Sequence, residues 1–257
     1  MVLTKKKLSH KLIHKSKKIS KKYIIDNPNY NNKIISLPTF KKNDEIKKPL
    51  FISLGFNCGA RLIMDRCNII QPTFPFDWTE TYFGVSSIIE KGYAKYNLIQ
   101  DNKVVLDLIN GIAYHHDNKD DIKEKYNRRL TRLHQYLSYY DTSKNNKEVI
   151  FIRKSHSLAY HNHYYVTKYN IKFKNDIKDA KELHKFIKNK YPNLNYKIYV
   201  YLMCDKCYNK YNYKLFKINE NIIVKRERIN PKISFDTLSL PFKKMFYSII
   251  DNLNLKS

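Results

Sequence analysis

Two kinds of hydrophobic pattern follow one another along the chain from about residue 49. Short continuous apolar runs predict buried strands, and longer segments with apolar residues at helical spacing predict helices. Because strands and helices alternate, the pattern predicts an α/β fold: a three-layer sandwich with a mainly parallel sheet and helices on both faces. The strands are predicted at 51–55, 104–109, 149–153, 196–203 and 222–224, and the helices at 58–67, 84–93, 120–140, 176–190 and 240–253.

One antiparallel element is predicted within this fold. Asn110-Gly111 separates the strand at 104–109 from a second apolar run at 112–117. Asn-Gly between two apolar runs is typical of a β-hairpin, because both residues accept a positive φ.

The first 48 residues differ in composition from the rest of the chain. The stretch from Lys5 to Lys22 is rich in Lys and contains no acidic residue, and Asn-rich sequence follows it. Residues 1–48 are therefore predicted to form a basic, partly disordered tail, and residues 49–257 a single α/β domain. The alternative for the tail is an amphipathic helix that contacts anionic lipid or nucleic acid.

The net charge of +26 suggests nucleic-acid binding, but the kind of basic residue argues against this as the main role. Only 8 of the 49 basic residues are Arg, the side chain suited to bidentate contacts with phosphate and guanine. Abundant Lys, Asn, Ile and Tyr are what an AT-rich genome encodes, and origin in a large DNA virus is compatible with this composition. Non-specific contact with polyanions through residues 1–48 still follows from the charge.

Cysteine usage and hydropathy indicate a protein that is not secreted. The chain has four cysteines, and its first residues lack the apolar core of a secretory signal, so reduced thiols are expected. No apolar run approaches the roughly 20 residues that span a bilayer, so no transmembrane segment is expected. We expect the cytoplasm or, for a viral protein, the host-cell cytoplasm or the virion.

The first candidate site is Cys58, which ends the segment Ser53-Leu54-Gly55-Phe56-Asn57-Cys58. A predicted strand ends there, Gly55 allows a tight turn, and Asn57 is a good N-cap for the following helix. Free backbone N–H groups at a helix N-terminus favour an anion, so we expect a lowered pKa for the Cys58 thiol and an oxyanion site for a substrate carbonyl. A buried structural cysteine is the alternative.

Two further segments carry side chains that would complete a thiol site. Residues 72–78 hold the only Trp of the chain and one acid, Asp77, which is either a site residue or a turn-capping carboxylate. His115 and His116 lie at the end of the predicted strand at 112–117. Adjacent side chains of a strand point to opposite faces, so only one of the two histidines should face Cys58. That histidine would be the general base, with Asp77 or Asp117 to orient it. The alternative for the histidine pair is a surface loop.

These segments occur in an order that resembles a known family. The pieces are Ser53-Leu54-Gly55-x-Asn57-Cys58, Pro75-Phe76-Asp77-Trp78, His116-Asp117 followed by Tyr126-Asn127-Arg128-Arg129, and Phe151-Ile152-Arg153. Together they resemble a family of uncharacterised domains labelled papain-like cysteine peptidases, which is found in bacteria and large DNA viruses. The resemblance covers residues 50–155, about two fifths of the chain.

The resemblance implies Cys58 as the nucleophile and His116 as its base, and Asp77 is the third catalytic candidate. It also implies a papain-like α+β fold as the alternative architecture. Thiol chemistry on an acyl group serves both hydrolysis and acyl transfer. The expected function is therefore a Cys–His enzyme, a peptidase-like hydrolase or an acyltransferase, acting on a small-molecule or peptide substrate. No cofactor is expected for hydrolysis, whereas coenzyme A would take part in an acyl transfer.

Six residues are expected to bind substrate around this centre. Because Arg is rare in this chain, Arg129 and Arg153 are expected either to bind an anionic group of the substrate or to pair with an acid such as Asp77 or Asp117. The full set of substrate-binding candidates is Asn57, Gly55, Trp78, Asp117, Arg129 and Arg153.

A single Cys-x-x-Cys, Cys204 to Cys207, is the remaining motif with metal-like spacing. A structural zinc would need two more ligands, for which His156, His161 and His163 are the nearest histidines in the sequence. A surface loop is the preferred interpretation, so no metal site is predicted.

The competing hypothesis is an interaction protein without catalysis. It would keep the fold and use the basic tail to bind nucleic acid, an anionic membrane or another polyanion. A reactive Cys58 favours the enzyme, and salt-sensitive binding that is lost on removal of residues 1–48 favours the interaction protein.

Overall fold

The computed structural model describes residues 49–93, 95–142, 147–158, 164–171, 175–204, 215–228 and 240–253. All of them belong to the unit Glu45–Ser257. The predicted tail at 1–48 lies outside the described residues.

The secondary structure alternates in the way the sequence predicts. The strands are β1 (Leu50–Ser53), β2 (Thr79–Thr81), β3 (Leu98–Asp101), β4 (Val104–Asp107), β5 (Ile112–Tyr114), β6 (Val149–Leu158), β7 (Tyr196–Cys204), β8 (Leu215–Lys217) and β9 (Ile222–Arg228). The helices are α1 (Gly59–Arg66), α2 (Val85–Lys91), α3 (Ile122–Thr142), α4 (Tyr164–Tyr169), α5 (Asp176–Lys190) and α6 (Leu240–Asn252). Every predicted helix and strand overlaps one of these elements, so the element types are confirmed.

The larger sheet is mainly parallel. Its strands run in the order β1-β6-β7-β9-β8, and only the edge pair β8–β9 is antiparallel. The mixed α/β class and the mainly parallel sheet predicted from the sequence are therefore confirmed.

Alternate residues of this sheet enter two different cores. Leu50, Ile52 and Phe151 pack with residues of α3 and α5. Phe51 and Ile150 pack with residues of α1 and α6. Since successive side chains of a strand point to opposite faces, the two cores lie on opposite sides of these strands.

The helices owe their position to apolar stripes and caps. The long helix α3 buries one residue every three or four positions, which is the helical period: Ile122, Tyr126, Leu130, Leu133 and Leu137. Helix α5 is capped by Asn175, whose Oδ1 accepts hydrogen bonds from the backbone N of Ile177 and of Lys178.

A second, antiparallel sheet has the strand order β2-β5-β4-β3. The predicted hairpin at Asn110-Gly111 forms its β4–β5 ladder, and Gly111 has a φ of +64°. The sheet as a whole was not predicted, because β2 is three residues long and reads Thr-Glu-Thr, with no apolar residue to mark it. This short polar strand contributes to the candidate site.

Candidate active site

The turn that leads to Cys58 has unusual backbone geometry. Gly55 and Phe56 both have a positive φ, of 75° and 79°. A β-carbon at Gly55 would lie 2.6 Å from Oγ1 of Thr81, so this position needs glycine both for its backbone and for its close approach to β2. Phe56 is buried, and a bulky side chain in the left-handed region is a costly conformation that concentrates at functional sites.

Asn57 and Cys58 begin helix α1. Oδ1 of Asn57 accepts a hydrogen bond from the backbone N of Gly59 at 3.0 Å, and Cys58 occupies the N-cap position. The thiol is free and half-buried. The strand, the turn and the helix thus follow one another as the sequence predicts, with Cys58 at the helix N-terminus. The prediction of Asn57 as the N-cap was wrong, because the helix begins one residue later and Asn57 precedes the capping residue.

Arg153 holds this turn in place. Its side chain is buried, and it donates from Nη1 to the carbonyl oxygen of Leu54 and from Nη2 to that of Thr81, both at 2.8 Å. Its Nε donates to Oδ1 of Asp176 at 3.0 Å. Arg153 therefore pairs with an acid, but with Asp176 at the start of α5 and not with Asp77 or Asp117. It positions the end of β1 against β2.

Burial raises the pKa of the Cys58 thiol above its ordinary value. A hydrogen bond from the residue's own backbone and the positive charge of Lys154 act in the opposite direction, and the negative charge of Glu80 raises the pKa further. The expectation of a lowered thiol pKa was therefore wrong, because lost hydration outweighs the helix terminus. At neutral pH the thiol is protonated, and a base is needed to form the thiolate.

Lys154 supplies a buried positive charge that acts on the Cys58 thiol. It lies two residues after Ile152 on β6, and so on the face of the strand that packs with α1. Its side chain is fully buried, and its Nζ lies 5.3 Å from the centroid of the Phe242 ring. The field of this cation reaches the Cys58 thiol.

His115 lies beside Glu80, the carboxylate whose charge acts on the Cys58 thiol. Its Nε2 lies 3.0 Å from Oε2 of Glu80, and the hydroxyl of buried Tyr82 donates to the same oxygen at 3.0 Å. Glu80 thus links the two side chains: its charge acts on the Cys58 thiol, and its Oε2 lies within hydrogen-bond distance of His115. The side chain of His115 is 37% exposed, so a substrate can reach it.

His116 lies in a neighbouring pocket. Its ring meets the Trp78 ring edge-on, with centroids 6.2 Å apart, and the centroids of the two histidine rings are 6.4 Å apart. The pocket has a volume of about 290 Å³ and is lined by Trp78, His116, Asp117, Lys125 and Arg129. The two histidines thus have different partners, Glu80 for His115 and Trp78 for His116.

Asp117 accepts hydrogen bonds from two residues of α3, the helix that forms one wall of this pocket. Its Oδ1 accepts a hydrogen bond from Nζ of Lys125, and its Oδ2 accepts one from the hydroxyl of Tyr126 at 2.7 Å. The guanidinium carbon of Arg129 lies 4.9 Å from the centroid of the Tyr126 ring. The structure therefore brings Trp78, His116, Asp117 and Arg129 together, around the pocket.

Asp77 is placed as a turn-capping carboxylate. It is fully buried, its Oδ2 accepts a hydrogen bond from the backbone N of Phe74 at 2.8 Å, and the same oxygen lies 3.5 Å from Nη1 of Arg61. Burial raises its pKa to about 7. In the described part of the chain its partners are Phe74 and Arg61, and neither histidine is among them.

Sequence analysis missed Glu80 and Lys154. Glu80 lies two residues after Trp78, so an alternating pattern would have placed both side chains on one face had the three-residue strand been recognised. Lys154 continues the predicted strand at 149–153, and an alternating register would have turned it away from Arg153 and toward the Cys58 helix. His115 was considered, but the resemblance favoured His116.

Among the residues that the structure describes, no group of three or more His, Cys, Asp or Glu could hold a metal ion, and no helix is both long and apolar enough to cross a membrane. Cys204 ends β7, but its side chain, that of His156, and residues Cys207, His161 and His163 lie outside the description.

Comparison of the chain with protein-family models, with curated proteins and with solved structures finds no match. Function is therefore argued from the residues of the site.

Proposed function

We propose that the protein is a thiol enzyme that acts on an acyl group, with Cys58 as the nucleophile, His115 as the general base and Glu80 as the carboxylate that orients His115. The observation that carries the proposal is the position of Glu80, whose oxygen lies within hydrogen-bond distance of His115 and whose charge acts on the protonated Cys58 thiol. Such a thiol needs a base, and an imidazole held by a carboxylate is the group that Cys–His enzymes use.

In the proposed reaction, His115 takes the proton of the Cys58 thiol as the sulfur attacks the carbonyl carbon. The positive charge of Lys154 and the remaining N–H groups in the first turn of α1 stabilise the resulting oxyanion. Collapse of the tetrahedral intermediate forms a thioester on Cys58, and the leaving group departs with the proton from His115. Water then releases the acid in a hydrolase, or a second nucleophile takes the acyl group in a transferase.

The position of the site on the fold supports the same proposal. Cys58 follows the carboxyl end of a parallel strand, the edge at which open α/β sheets bind their ligands. We extend the proposal to the architecture, in which the two cores on either side of the parallel sheet make up a three-layer sandwich. His116 and Asp77, the base and third residue expected from the sequence, are the rival assignments.

The test is transfer of an acetyl group to Cys58. The full chain is incubated at neutral pH with p-nitrophenyl acetate or with acetyl-coenzyme A, and peptide mass spectrometry measures the acetyl group on Cys58. A general base contributes about 10²–10⁴ in rate, so His115→Ala should slow acetylation by that order. The neighbouring substitution His116→Ala is the matched control and should leave the rate with p-nitrophenyl acetate, which carries no anionic group, within about twofold.

Two outcomes would count against the proposal. An equal loss in both histidine variants would remove the assignment of the base to His115. Absence of acetyl-Cys58 from every donor, together with salt-sensitive polyanion binding by the full chain, would favour the interaction protein.

A further inference from the structure

The pocket lined by His116 contains a cation that forms no ion pair with any residue that the structure describes. Of the two cationic side chains that line it, Lys125 is paired with Asp117. The guanidinium of Arg129 instead packs on the ring of Tyr126, and its Nη1 is buried without a hydrogen-bond acceptor among the described residues. A buried guanidinium nitrogen without an acceptor is costly, and an anion in the pocket would supply one.

The carboxyl group of Asp77 offsets this charge only in part. Arg129 is one of the two cations that lower the pKa of Asp77, yet burial keeps that pKa at about 7. Asp77 is therefore only partly ionised at neutral pH. The positive charge of Arg129 remains available to a ligand.

We propose that this pocket binds an oxyanion group of the acyl substrate, a phosphate or a carboxylate, with Arg129 as the recognising residue and Trp78 as an apolar wall for the adjoining part of the molecule. The inference rests on the proposed function, because it takes the ligand to be the substrate of Cys58. A guanidinium binds either oxyanion through two parallel N–H donors.

Size and position agree with a small substrate. A volume of about 290 Å³ is at the lower end of the range for small-molecule pockets, enough for an anionic head group and a flat neighbour. His116 lines the pocket and directly follows His115 in the chain. A molecule held by Arg129 would therefore extend from the pocket toward the proposed base.

The chain carries its own reporter for this pocket. Trp78 is the only tryptophan, so emission excited selectively in its indole ring, and not in the 22 tyrosines, reports on the pocket wall. Phenyl phosphate, benzoate and neutral benzyl alcohol are titrated into the full-length Cys58→Ala protein, in which no acyl transfer from Cys58 occurs. We expect a saturable change in emission with at least one of the two anions and binding of benzyl alcohol that is weaker by about tenfold or more. The comparison of phenyl phosphate with benzoate identifies the oxyanion.

Neighbouring arginines provide a matched pair of variants. Arg129→Gln should weaken binding of the anion by about ten- to a hundredfold, the range for a charge-assisted hydrogen bond. Arg129→Lys keeps the charge without the planar arrangement of N–H donors, so its affinity for the anion should lie between that of the wild type and that of Arg129→Gln. Arg128→Gln removes the same charge from an exposed residue that is paired with Glu124, and should change the affinity by less than about twofold. Circular dichroism verifies that each variant is folded.

Equal binding of neutral and anionic ligands, or equal losses in the Arg128 and Arg129 variants, would overturn the inference. Failure of the proposed function has a different signature. If Cys58 becomes acetylated but anions are not preferred, only the pocket assignment falls. If anions bind through Arg129 while Cys58 is never acylated by any donor, the pocket is an oxyanion site and its assignment to a Cys58 substrate falls.

Discussion

Replacement of Asp77 by Asn tests whether this buried carboxyl group opposes folding when it is ionised. Asp77 is fully buried and accepts a hydrogen bond from the backbone N of Phe74, and one of its oxygens has no hydrogen-bond partner among the described residues. The amide oxygen of Asn can accept the same bond. The substitution therefore removes a charge while it keeps the turn.

The magnitude follows from the raised pKa of Asp77. Burial moves this pKa from 3.8 to about 7. Because the folded state holds the proton longer than the unfolded state, the contribution of Asp77 to the free energy of unfolding is largest below pH 3.8 and falls as the pH rises toward about 7. Each pH unit in this window corresponds to about 1.4 kcal/mol, so the loss between about pH 5 and about pH 8 should be about 2–3 kcal/mol.

The assay is urea unfolding of the wild type and of Asp77→Asn at about pH 5 and about pH 8. Relative to the wild type, the variant should be about 2–3 kcal/mol more stable at the higher pH than at the lower one. His134, whose pKa is lowered to about 4 by burial, titrates in the opposite sense, but it does so in both proteins and cancels. A difference that does not depend on pH, or that favours the wild type at high pH, would show instead that Asp77 is ionised in the fold and stabilised by Arg61.

Two further predictions concern the Cys58 turn. Gly55→Ala and Gly84→Ala share the cost of a positive φ, about 1–2 kcal/mol, but of these two positions only Gly55 has a neighbour that the new β-carbon would overlap. In chemical denaturation, the free energy of unfolding should therefore fall by at least about 1 kcal/mol more in Gly55→Ala than in Gly84→Ala. Equal losses would contradict the close approach of Gly55 to β2. Glu80→Gln should lower the pKa of the Cys58 thiol and Lys154→Met should raise it, because these charges act on the thiol with opposite signs. The pH dependence of iodoacetamide alkylation measures both shifts, and shifts of the same sign would refute the opposite action of the two charges.

The parts of the fold that the sequence predicts are those with a strong apolar period. Helix α5 was predicted with its observed limits because Asn175 caps it and its apolar residues keep helical spacing up to Ile187. Strands β6 and β7 are apolar on both faces and mark the parallel sheet. Strand β2 has no such signal, since Thr79, Glu80 and Thr81 are buried by tertiary contacts that a local pattern does not contain.

The candidate site was predictable only where local geometry decides it. Gly55, Asn57 and Cys58 lie within a few residues, and the structure has the predicted turn and helix start, although Cys58 and not Asn57 takes the N-cap position. The residues proposed to act with the thiol are brought together by the antiparallel sheet, which joins β2 to β5 and so places Glu80 near His115. A one-residue difference in a strand exchanges one face for the other, which is why a sequence pattern alone does not separate His115 from His116.

A raised thiol pKa changes what reactivity should be expected of Cys58. In a preformed thiolate–imidazolium pair, any alkylating reagent finds the nucleophile ready, and its rate reports catalytic competence. Here burial raises the pKa of the thiol, so the thiol is protonated at neutral pH, and in the proposed reaction a base accepts its proton during attack. Slow alkylation at neutral pH is therefore compatible with an enzyme in which His115 acts as general base only when an acyl group is bound. The informative quantity is the ratio of the acylation rate to the alkylation rate of Cys58. That ratio should fall in His115→Ala and stay unchanged in His116→Ala; if both reactions slow together in His115→Ala, the histidine forms a resting ion pair with the thiol, and the general-base role is excluded.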